Sequence, residues 1–219
     1  MDLEFELTAD GSHTLFVPQL DEHYHSVNGA IQESNHVFIE SGLKCCPKNE
    51  ISILEVGFGT GLNALLTLLY ANQTNKQVRY KSYELYPLSQ DVIEKLNYRD
   101  ILLDKAKFFD DLHKAPWGEE VLLTSNFSLK KISADFTLFE EERANLFDLV
   151  YFDAFAPDKQ PELWTQKIFD YVYKLVSANG ILITYCAKGV VRRAMLKSGF
   201  KVERIPGPPG KREMLRAIK

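Results

Sequence analysis

Residues 51–63 read ISILEVGFGTGLN, an apolar run that leads into a loop with three glycines. The apolar run at 51–56 predicts a buried strand, and the residues from 62 to about 72 predict a helix. Glycines let a backbone turn tightly and let a ligand approach closely. A negative group on that ligand then meets free amides at the helix N-terminus. The segment therefore predicts a strand–loop–helix unit that binds a ligand.

The spacing of the glycines separates two classes of nucleotide-binding protein. A dinucleotide fingerprint would need its third glycine at position 62, which is Leu62. Glycines at alternating positions, with an acid two residues earlier, instead resemble class I methyltransferases, which implies S-adenosyl-L-methionine as the cofactor. A turn that merely tolerates glycine is the alternative, but three glycines in five residues are costly without a close ligand. The predicted cofactor contacts in this loop are Glu55, Gly57, Phe58, Gly59, Thr60 and Gly61.

Two acids further along the chain complete the predicted cofactor site. Glu84 ends the next predicted strand, where an acid accepts hydrogen bonds from ribose hydroxyls in methyltransferases and dehydrogenases alike. A surface acid at a strand end is the alternative for this residue. Asp135 stands where class I methyltransferases place an acid near the adenine. Both acids are therefore candidate cofactor ligands.

The chain after residue 51 alternates predicted strands and helices, which favours an α/β fold with helices on both faces of a mostly parallel sheet. We predict the doubly wound, Rossmann-like sheet of a class I methyltransferase. One domain covers residues 1–219, with an N-terminal hairpin and lid extension at 1–45 and the core at 46–219. An inserted hairpin is predicted at 121–132. Further predicted strands lie at 78–83, 147–152, 181–186, 200–205 and 214–218, and further helices begin at Pro87 and span 161–176 and 190–197.

The composition is that of a globular chain of 219 residues with 45% apolar and 26% charged residues. No apolar run approaches the ~20 residues of a membrane span, and the N-terminus lacks the pattern of a signal peptide. The three cysteines show no metal-binding spacing. We therefore expect a cytoplasmic protein with no membrane association and no metal.

The net charge of −4 is unevenly distributed along the chain. Residues 188–219 carry ten basic and two acidic residues, so this tail is near +8 and the remainder near −12. A segregated basic segment favours contact with phosphates, whereas a solvated helix face is the alternative.

Residues 152–165, FDAFAPDKQPELWT, closely resemble the characteristic motif of the tRNA 5-aminomethyl-2-thiouridine methyltransferases. This family comprises the N-terminal half of the bifunctional protein MnmC and its stand-alone relatives. Three further blocks agree, so the resemblance spans nearly the whole chain. They cover residues 24–39, residues 116–129 and residues 187–214.

The resemblance implies methyl transfer to the exocyclic amine of 5-aminomethyl(-2-thio)uridine at the tRNA wobble position. Asp153 is the candidate catalytic residue and a further cofactor contact, although a cap of the following turn is its alternative role. The tRNA anticodon loop is the implied partner. Candidate substrate contacts are Phe155, Pro157, Asp158 and Trp164 for the base, and Lys188, Arg192, Arg193, Lys211 and Arg212 for the phosphates.

The chain ends at Lys219, where the bifunctional protein continues into a flavin-dependent oxidase. We therefore expect a substrate that already carries a free aminomethyl group, and a functional link to the enzymes that install it. Two other functions stay open. One is a class I methyl- or aminopropyltransferase for a small amine, although the paired aspartates that hold a diamine are missing. The other is a non-catalytic nucleotide- or RNA-binding module.

Overall fold

A computed structural model describes residues 2–138, 144 and 146–219. The N-terminal extension is a three-stranded antiparallel sheet followed by a short helix, α1 (Ala30–Ser34), that continues as a π-helix over Asn35–Glu40. The predicted hairpin is present, because β1 (Glu4–Leu7) and β2 (His13–Val17) pair from Glu4↔Phe16 to Leu7↔His13. The elements of the extension are β1 (Glu4–Leu7), β2 (His13–Val17), β3 (Glu22–His23) and α1 (Ala30–Ser34).

The core is an eight-stranded sheet with helices on both faces. Its elements are β4 (Glu50–Val56), α2 (Leu62–Thr74), β5 (Gln77–Glu84), α3 (Gln90–Lys95), α4 (Tyr98–Leu102), α5 (Ala106–Lys114), β6 (Glu120–Thr124), β7 (Phe127–Ser133), β8 (Phe147–Phe152), α6 (Gln166–Leu175), β9 (Val176–Thr184), α7 (Gly189–Ser198), β10 (Lys201–Pro206) and β11 (Glu213–Ile218). None of the helices in the described ranges has the length and apolarity needed to cross a membrane.

The strand order is β10-β11-β9-β8-β4-β5-β7-β6. The five central strands, from β9 to β7, are parallel, and the strands at both edges are antiparallel. The predicted α/β class and mostly parallel sheet are therefore confirmed. Because helices cover both faces, neighbouring strand residues are buried on opposite sides. Ile53 packs with α2 in one apolar cluster, whereas Leu54 packs with α6 in the other.

The predicted inserted hairpin at 121–132 is only partly right. Both of its strands exist, but β7 pairs in parallel with β5 from Val78↔Phe127 to Glu84↔Ser133. It is therefore a strand of the core sheet, and β6 alone is added at the edge. Phe127 and Leu129 are buried, so β7 has a core face that a solvent-exposed hairpin would lack.

Several predicted boundaries are wrong for local reasons. No helix begins at Pro87; α3 begins only at Gln90, because the backbone of Ser89 at the N-cap position is extended. The helix predicted over 161–176 is divided: Pro161–Trp164 forms a 3-10 turn, and Thr165, with extended backbone, begins α6 as its N-cap. The strand predicted from residue 181 already begins at Val176. Helices α4 and α5 were not predicted.

Asp10, in the turn of the N-terminal hairpin, holds α1 in place. Its carboxylate accepts the backbone N–H of Gln32 at 2.8 Å and that of Ser12 at 3.0 Å. Hydroxyl groups of Thr8 and Ser12 donate to the same carboxylate. An otherwise free amide of the first helical turn thus obtains its acceptor from a different element.

We predict that Asp10→Ala lowers the free energy of unfolding by about 0.5–2 kcal/mol, the usual scale for loss of a helix cap. Burial raises the pKa of Asp10, but these hydrogen bonds outweigh it and hold the pKa below its ordinary value. The stabilisation should thus be complete above the ordinary carboxyl pKa of about 4 and be lost as the pH falls further. Urea unfolding across pH measures both effects. Asp100→Ala, at an exposed position of α4, is the control and should change stability by less than about 0.5 kcal/mol.

Candidate active site

A cavity of about 470 Å³ opens at the carboxyl ends of β4, β5 and β8, beneath the N-terminal extension. Open parallel sheets bind ligands at this edge, because loops there diverge to opposite faces. The extension contributes Tyr24, His25 and Glu33, and the loop between β10 and β11 contributes Lys211. The core residues in the lining that were predicted from the sequence are Gly57, Phe58, Gly59, Glu84, Asp135, Asp153 and Phe155.

Gly57 and Gly59 meet close neighbours where a side chain would stand. A Cβ on Gly57, whose φ is +95°, would lie 2.5 Å from the carbonyl oxygen of Asp153. A Cβ on Gly59, whose φ is +50°, would lie 3.0 Å from the ring of Tyr24. Both positions thus combine a left-handed backbone with a near contact, which only glycine satisfies without strain. Close contacts with Asp153 and Tyr24 therefore set the conformation of the loop between β4 and α2. The same loop lines the cavity and is open to a ligand.

Glu84 fixes the glycine loop from the neighbouring strand. One carboxylate oxygen accepts the N–H of Gly59 at 2.9 Å, and the other accepts the N–H of Tyr86 at 2.9 Å. Asp135 lies further along the same wall of the cavity, where it accepts the N–H of Thr137 at 2.7 Å. The two predicted acids therefore line one side of the cavity in orientations set by backbone amides.

Asp153 follows β8 and lies beside the glycine loop, since its carbonyl oxygen would be 2.5 Å from a Cβ on Gly57. Asn63, in the first turn of α2, donates from its side-chain amide to Oδ2 of Asp153 at 2.8 Å. Burial raises the pKa of Asp153 to about 7, and this hydrogen bond only partly offsets it. A carboxyl with that pKa exchanges protons at neutral pH, as a general base must.

Three predicted cofactor contacts lie behind the loop instead of in the cavity lining. Glu55 is completely buried, accepts a hydrogen bond from Ser82 Oγ at 2.6 Å, and has its pKa raised to about 8 by burial. The carbonyl of Thr60 bonds to Nε2 of His113 at 3.1 Å, and Gly61 packs against the same ring. Glu55 thus bonds to β5, and Thr60 and Gly61 contact α5, so these residues hold the loop against the core.

The predicted base-binding residues are divided in the same way. Phe155 lines the cavity and packs edge-on against Tyr24, with ring centroids 5.1 Å apart. Trp164 belongs to the core, because it is 5% exposed and donates from Nε1 to the carbonyl of Phe155 at 2.8 Å. Pro157 is buried outside the lining, and Asp158 is exposed and paired with Lys188. Trp164 thus supports the wall that Phe155 presents.

The predicted phosphate contacts also differ in position. Lys188, Arg193 and Arg212 are exposed, whereas Arg192 is half-buried. Lys211 lines the cavity, where its Nζ donates to Glu33 Oε1 at 2.7 Å and lies 4.1 Å from the centroid of the Tyr185 ring. Lys211 is therefore directed at the site and not at the open surface.

Several lining or supporting residues were not predicted, namely Tyr24, His25, Glu33, Asn63 and Tyr185. The first three lie within residues 24–39, which carried the family resemblance but no assigned role. Asn63 and Tyr185 had no sequence signal. Within the described residues, no group of three His, Cys, Asp or Glu side chains is arranged to hold a metal ion.

Comparison with known proteins agrees with this architecture. A family model described as S-adenosyl-L-methionine-dependent methyltransferase matches residues 106–219. Two curated relatives are bifunctional MnmC proteins of tRNA 5-methylaminomethyl-2-thiouridine biosynthesis. The one from Cupriavidus metallidurans is 28% identical over 95% of this chain, and the one from Pseudoalteromonas atlantica is 30% identical over 98%. This chain spans about a third of the length of these relatives, 32% and 33% respectively.

Among solved structures, MnmC2 from Aquifex aeolicus superposes with a TM-score of 0.81 at 30% identity, over 99% of this chain and 70% of that one. Spermidine synthase from Thermotoga maritima shares the fold, with a TM-score of 0.56 at 14% identity over 100% of this chain and 79% of that one. The predicted family and cofactor are thus confirmed. With just over half of its length matched by the family model, and 30% identity to MnmC2, this chain belongs to a family of S-adenosyl-L-methionine-dependent methyltransferases that includes MnmC2 from Aquifex aeolicus.

Proposed function

We propose that this chain methylates the exocyclic amine of 5-aminomethyl(-2-thio)uridine at the wobble position of tRNA, giving the 5-methylaminomethyl product. The observation that carries the proposal is Asp153, a carboxylate with a pKa near neutrality that lines the cavity beside the glycine loop. The names of the MnmC relatives, which specify tRNA 5-methylaminomethyl-2-thiouridine, support the same reaction. A cytoplasmic location and a functional link to the enzymes that install the aminomethyl group belong to the proposal.

The charge of the cavity suits cationic ligands. Among the residues that the structure describes, its lining includes six carboxylates and two lysines, Lys159 and Lys211. Lys159 is already paired with Asp21 and Lys211 with Glu33. A sulfonium cofactor and an alkylammonium substrate both carry positive charge, which an excess of carboxylates stabilises. The acids in the lining are Glu22, Glu33, Glu84, Asp135, Asp153 and Glu162.

The residues present fit the cofactor, because the cavity has room beside a loop that glycine alone can form. Gly57, Phe58, Gly59, Glu84 and Asp135 would hold it, with the two acids on the side of its ribose and adenine. When bound, S-adenosyl-L-methionine supplies a methyl group on a sulfonium. The proposed division of the chain assigns the covering extension to residues 1–45 and the Rossmann-like core to residues 46–219.

Asp153 prepares the amine for attack. An alkylamine has a pKa of about 10, so at neutral pH most of it is protonated and lacks the lone pair that the reaction needs. The Asp153 carboxylate accepts a proton from the ammonium and orients the freed lone pair. Asn63 fixes the carboxylate through Oδ2, so Oδ1 is the oxygen available to the amine. Tyr24 and Phe155 offer ring surfaces on which an unstacked base can lie.

The anticodon loop is proposed to lie over the exposed cations near the C-terminus, Lys188, Arg193 and Arg212, with Arg192 beside them. The alternatives of a small-amine transferase and a non-catalytic binding module are not favoured. The MnmC relatives support a tRNA substrate, and a carboxyl with a pKa near 7 supports catalysis.

We predict that Gly59→Ala abolishes S-adenosyl-L-methionine binding, because the new Cβ displaces Tyr24 and the loop. Gly118→Ala is the matched control, since Gly118 also has a positive φ (+87°) but has open space around it. Calorimetry with the cofactor measures both variants, and NAD should not bind the parent protein. Equal loss of binding in the two variants would attribute the effect to backbone strain alone.

The second prediction is that Asp153→Asn lowers single-turnover methyl transfer to 5-aminomethyl tRNA by about 10²-fold or more. Cofactor affinity should change less. Activity of the parent enzyme should rise with pH through about 7, because Asp153 must be ionised to accept a proton. The variant should lack this inflection and recover in alkali, where neutral amine is abundant. If Asp153→Asn methylates the tRNA at the parent's rate at every pH, Asp153 only caps the following turn.

The third prediction concerns tRNA binding. Neutralising Arg193 or Arg212 to Gln should weaken tRNA binding and reduce its salt dependence by about one charge each. Cofactor affinity should be unchanged. Lys114→Gln is the control, because Lys114 is exposed on α5, which packs near β6 at the opposite edge of the sheet from β10. If a variant with both Arg193→Gln and Arg212→Gln keeps the parent's dependence of tRNA affinity on salt, these cations are merely solvated.

A further inference from the structure

The ion pair between Glu33 and Lys211 joins the two ends of the chain inside the cavity. Glu33 belongs to α1 in the N-terminal extension, and Lys211 lies in the loop between β10 and β11, 178 residues later. The side chain of Glu33 is only 9% exposed, whereas that of Lys211 is 35% exposed. The carboxylate is therefore fixed in the wall, and the ammonium reaches it from the open side.

The orientation of Glu33 is fixed independently of Lys211. Its Oε2 accepts the backbone N–H of Ser26 at 2.7 Å, which leaves Oε1 for the ammonium. Lys211 therefore shows directly that Oε1 can receive an alkylammonium group within the cavity. A protonated aminomethyl substituent presents the same chemical group.

A neighbouring histidine supports a ligand at this end of the cavity. His25 lines the cavity and is 8% exposed, yet its Nδ1 has no hydrogen-bond partner among the described residues. Buried polar atoms are rarely left without a partner, so this part of the wall has hydrogen-bonding capacity that the described residues do not use. Its backbone N–H and carbonyl both bond to Thr14, which holds this segment in place.

Accordingly, we propose that Glu33 recognises the ammonium of the incoming aminomethyl group, and that Lys211 occupies this carboxylate until the substrate displaces it. The inference rests on the proposed function and adds a specificity-determining residue to it. Glu33 receives the cation, Asp153 then takes its proton, and Lys211 turns outward, where its half-exposed side chain is free to be solvated. The exchange replaces one ammonium with another, so Glu33 keeps a counter-charge while the substrate binds, until Asp153 takes the proton.

The test compares binding of two tRNA transcripts that differ only in 5-aminomethyluridine or uridine at the wobble position. The parent protein should prefer the amine-bearing tRNA. Glu33→Gln should lose this preference by about tenfold or more, the scale of a hydrogen bond between charged groups. Affinity for unmodified tRNA and for S-adenosyl-L-methionine should stay within about twofold. Glu40→Gln is the matched control. Glu40 ends the neighbouring π-helix and forms an exposed ion pair with Lys44, so this substitution should leave the preference intact.

Two further variants separate recognition from a structural tie. Lys211→Met should retain the preference, since it removes only the competing ammonium. Weaker binding of both tRNAs would instead assign Lys211 to a phosphate, and weaker cofactor binding would assign it to the cofactor; either result overturns the inference. In Glu33→Lys/Lys211→Glu the ion pair is reversed, so thermal stability should recover in part relative to Glu33→Lys, without the preference; the Ser26 N–H still lacks its acceptor. Recovery of both would show a purely structural pair.

The parent protein distinguishes failure of this inference from failure of the proposed function. Methylation of 5-aminomethyl tRNA by the parent, together with a preference unchanged in Glu33→Gln, would overturn the role of Glu33 alone. Absence of methylation and of any preference in the parent would overturn both.

Discussion

The close approach of β4 and β8 at their carboxyl ends governs the geometry of the site. The Asp153 N–H donates to the carbonyl of Val56 at 2.9 Å, and the Asp153 carbonyl lies where a side chain on Gly57 would stand. One strand end thus fixes the glycine loop, and the other fixes the reactive carboxylate, with no flexible segment between them. The contact places a cofactor loop and a proton acceptor side by side in the lining of one cavity, as methyl transfer requires.

Burial of its carboxyl groups raises pKa values in the site. Asp153 and Glu55 lie at the end of adjacent strands, where loss of water raises the pKa of each carboxyl. The two groups differ in access, because Asp153 lines the cavity whereas Glu55 is enclosed beneath the loop. Only Asp153 is placed to exchange a proton with a ligand, and Glu55 bonds to Ser82 and secures β5.

The glycine loop is also supported from its outer side by a buried lysine. Lys131 of β7 is 1% exposed, donates to the carbonyls of Leu112 and His113 at the end of α5, and faces the rings of Phe58 and Trp117. Burial lowers its pKa to about 8. A cation is stabilised by the negative end of the helix dipole, so Lys131 connects α5 to the loop with no acidic partner among the described residues. The covering extension and the C-terminal loop close the cavity from the other side.

The sequence by itself determined the α/β class and the strand–loop–helix at 51–63, because these depend on local periodicity and on residue types at short spacing. Its motifs also indicated the family and the cofactor through their resemblance to known methyltransferases. It also indicated Glu84, Asp135 and Asp153, since strand ends are visible locally and parallel strands bring their carboxyl ends together. Only the tertiary structure decided which predicted residues face the cavity. Glu55 and Trp164 turn into the protein, whereas Lys211 turns from the expected phosphate surface to Glu33, 178 residues away. No local pattern encodes such pairings, because they arise when distant segments are packed over one sheet and each polar group takes the partner that packing leaves within reach.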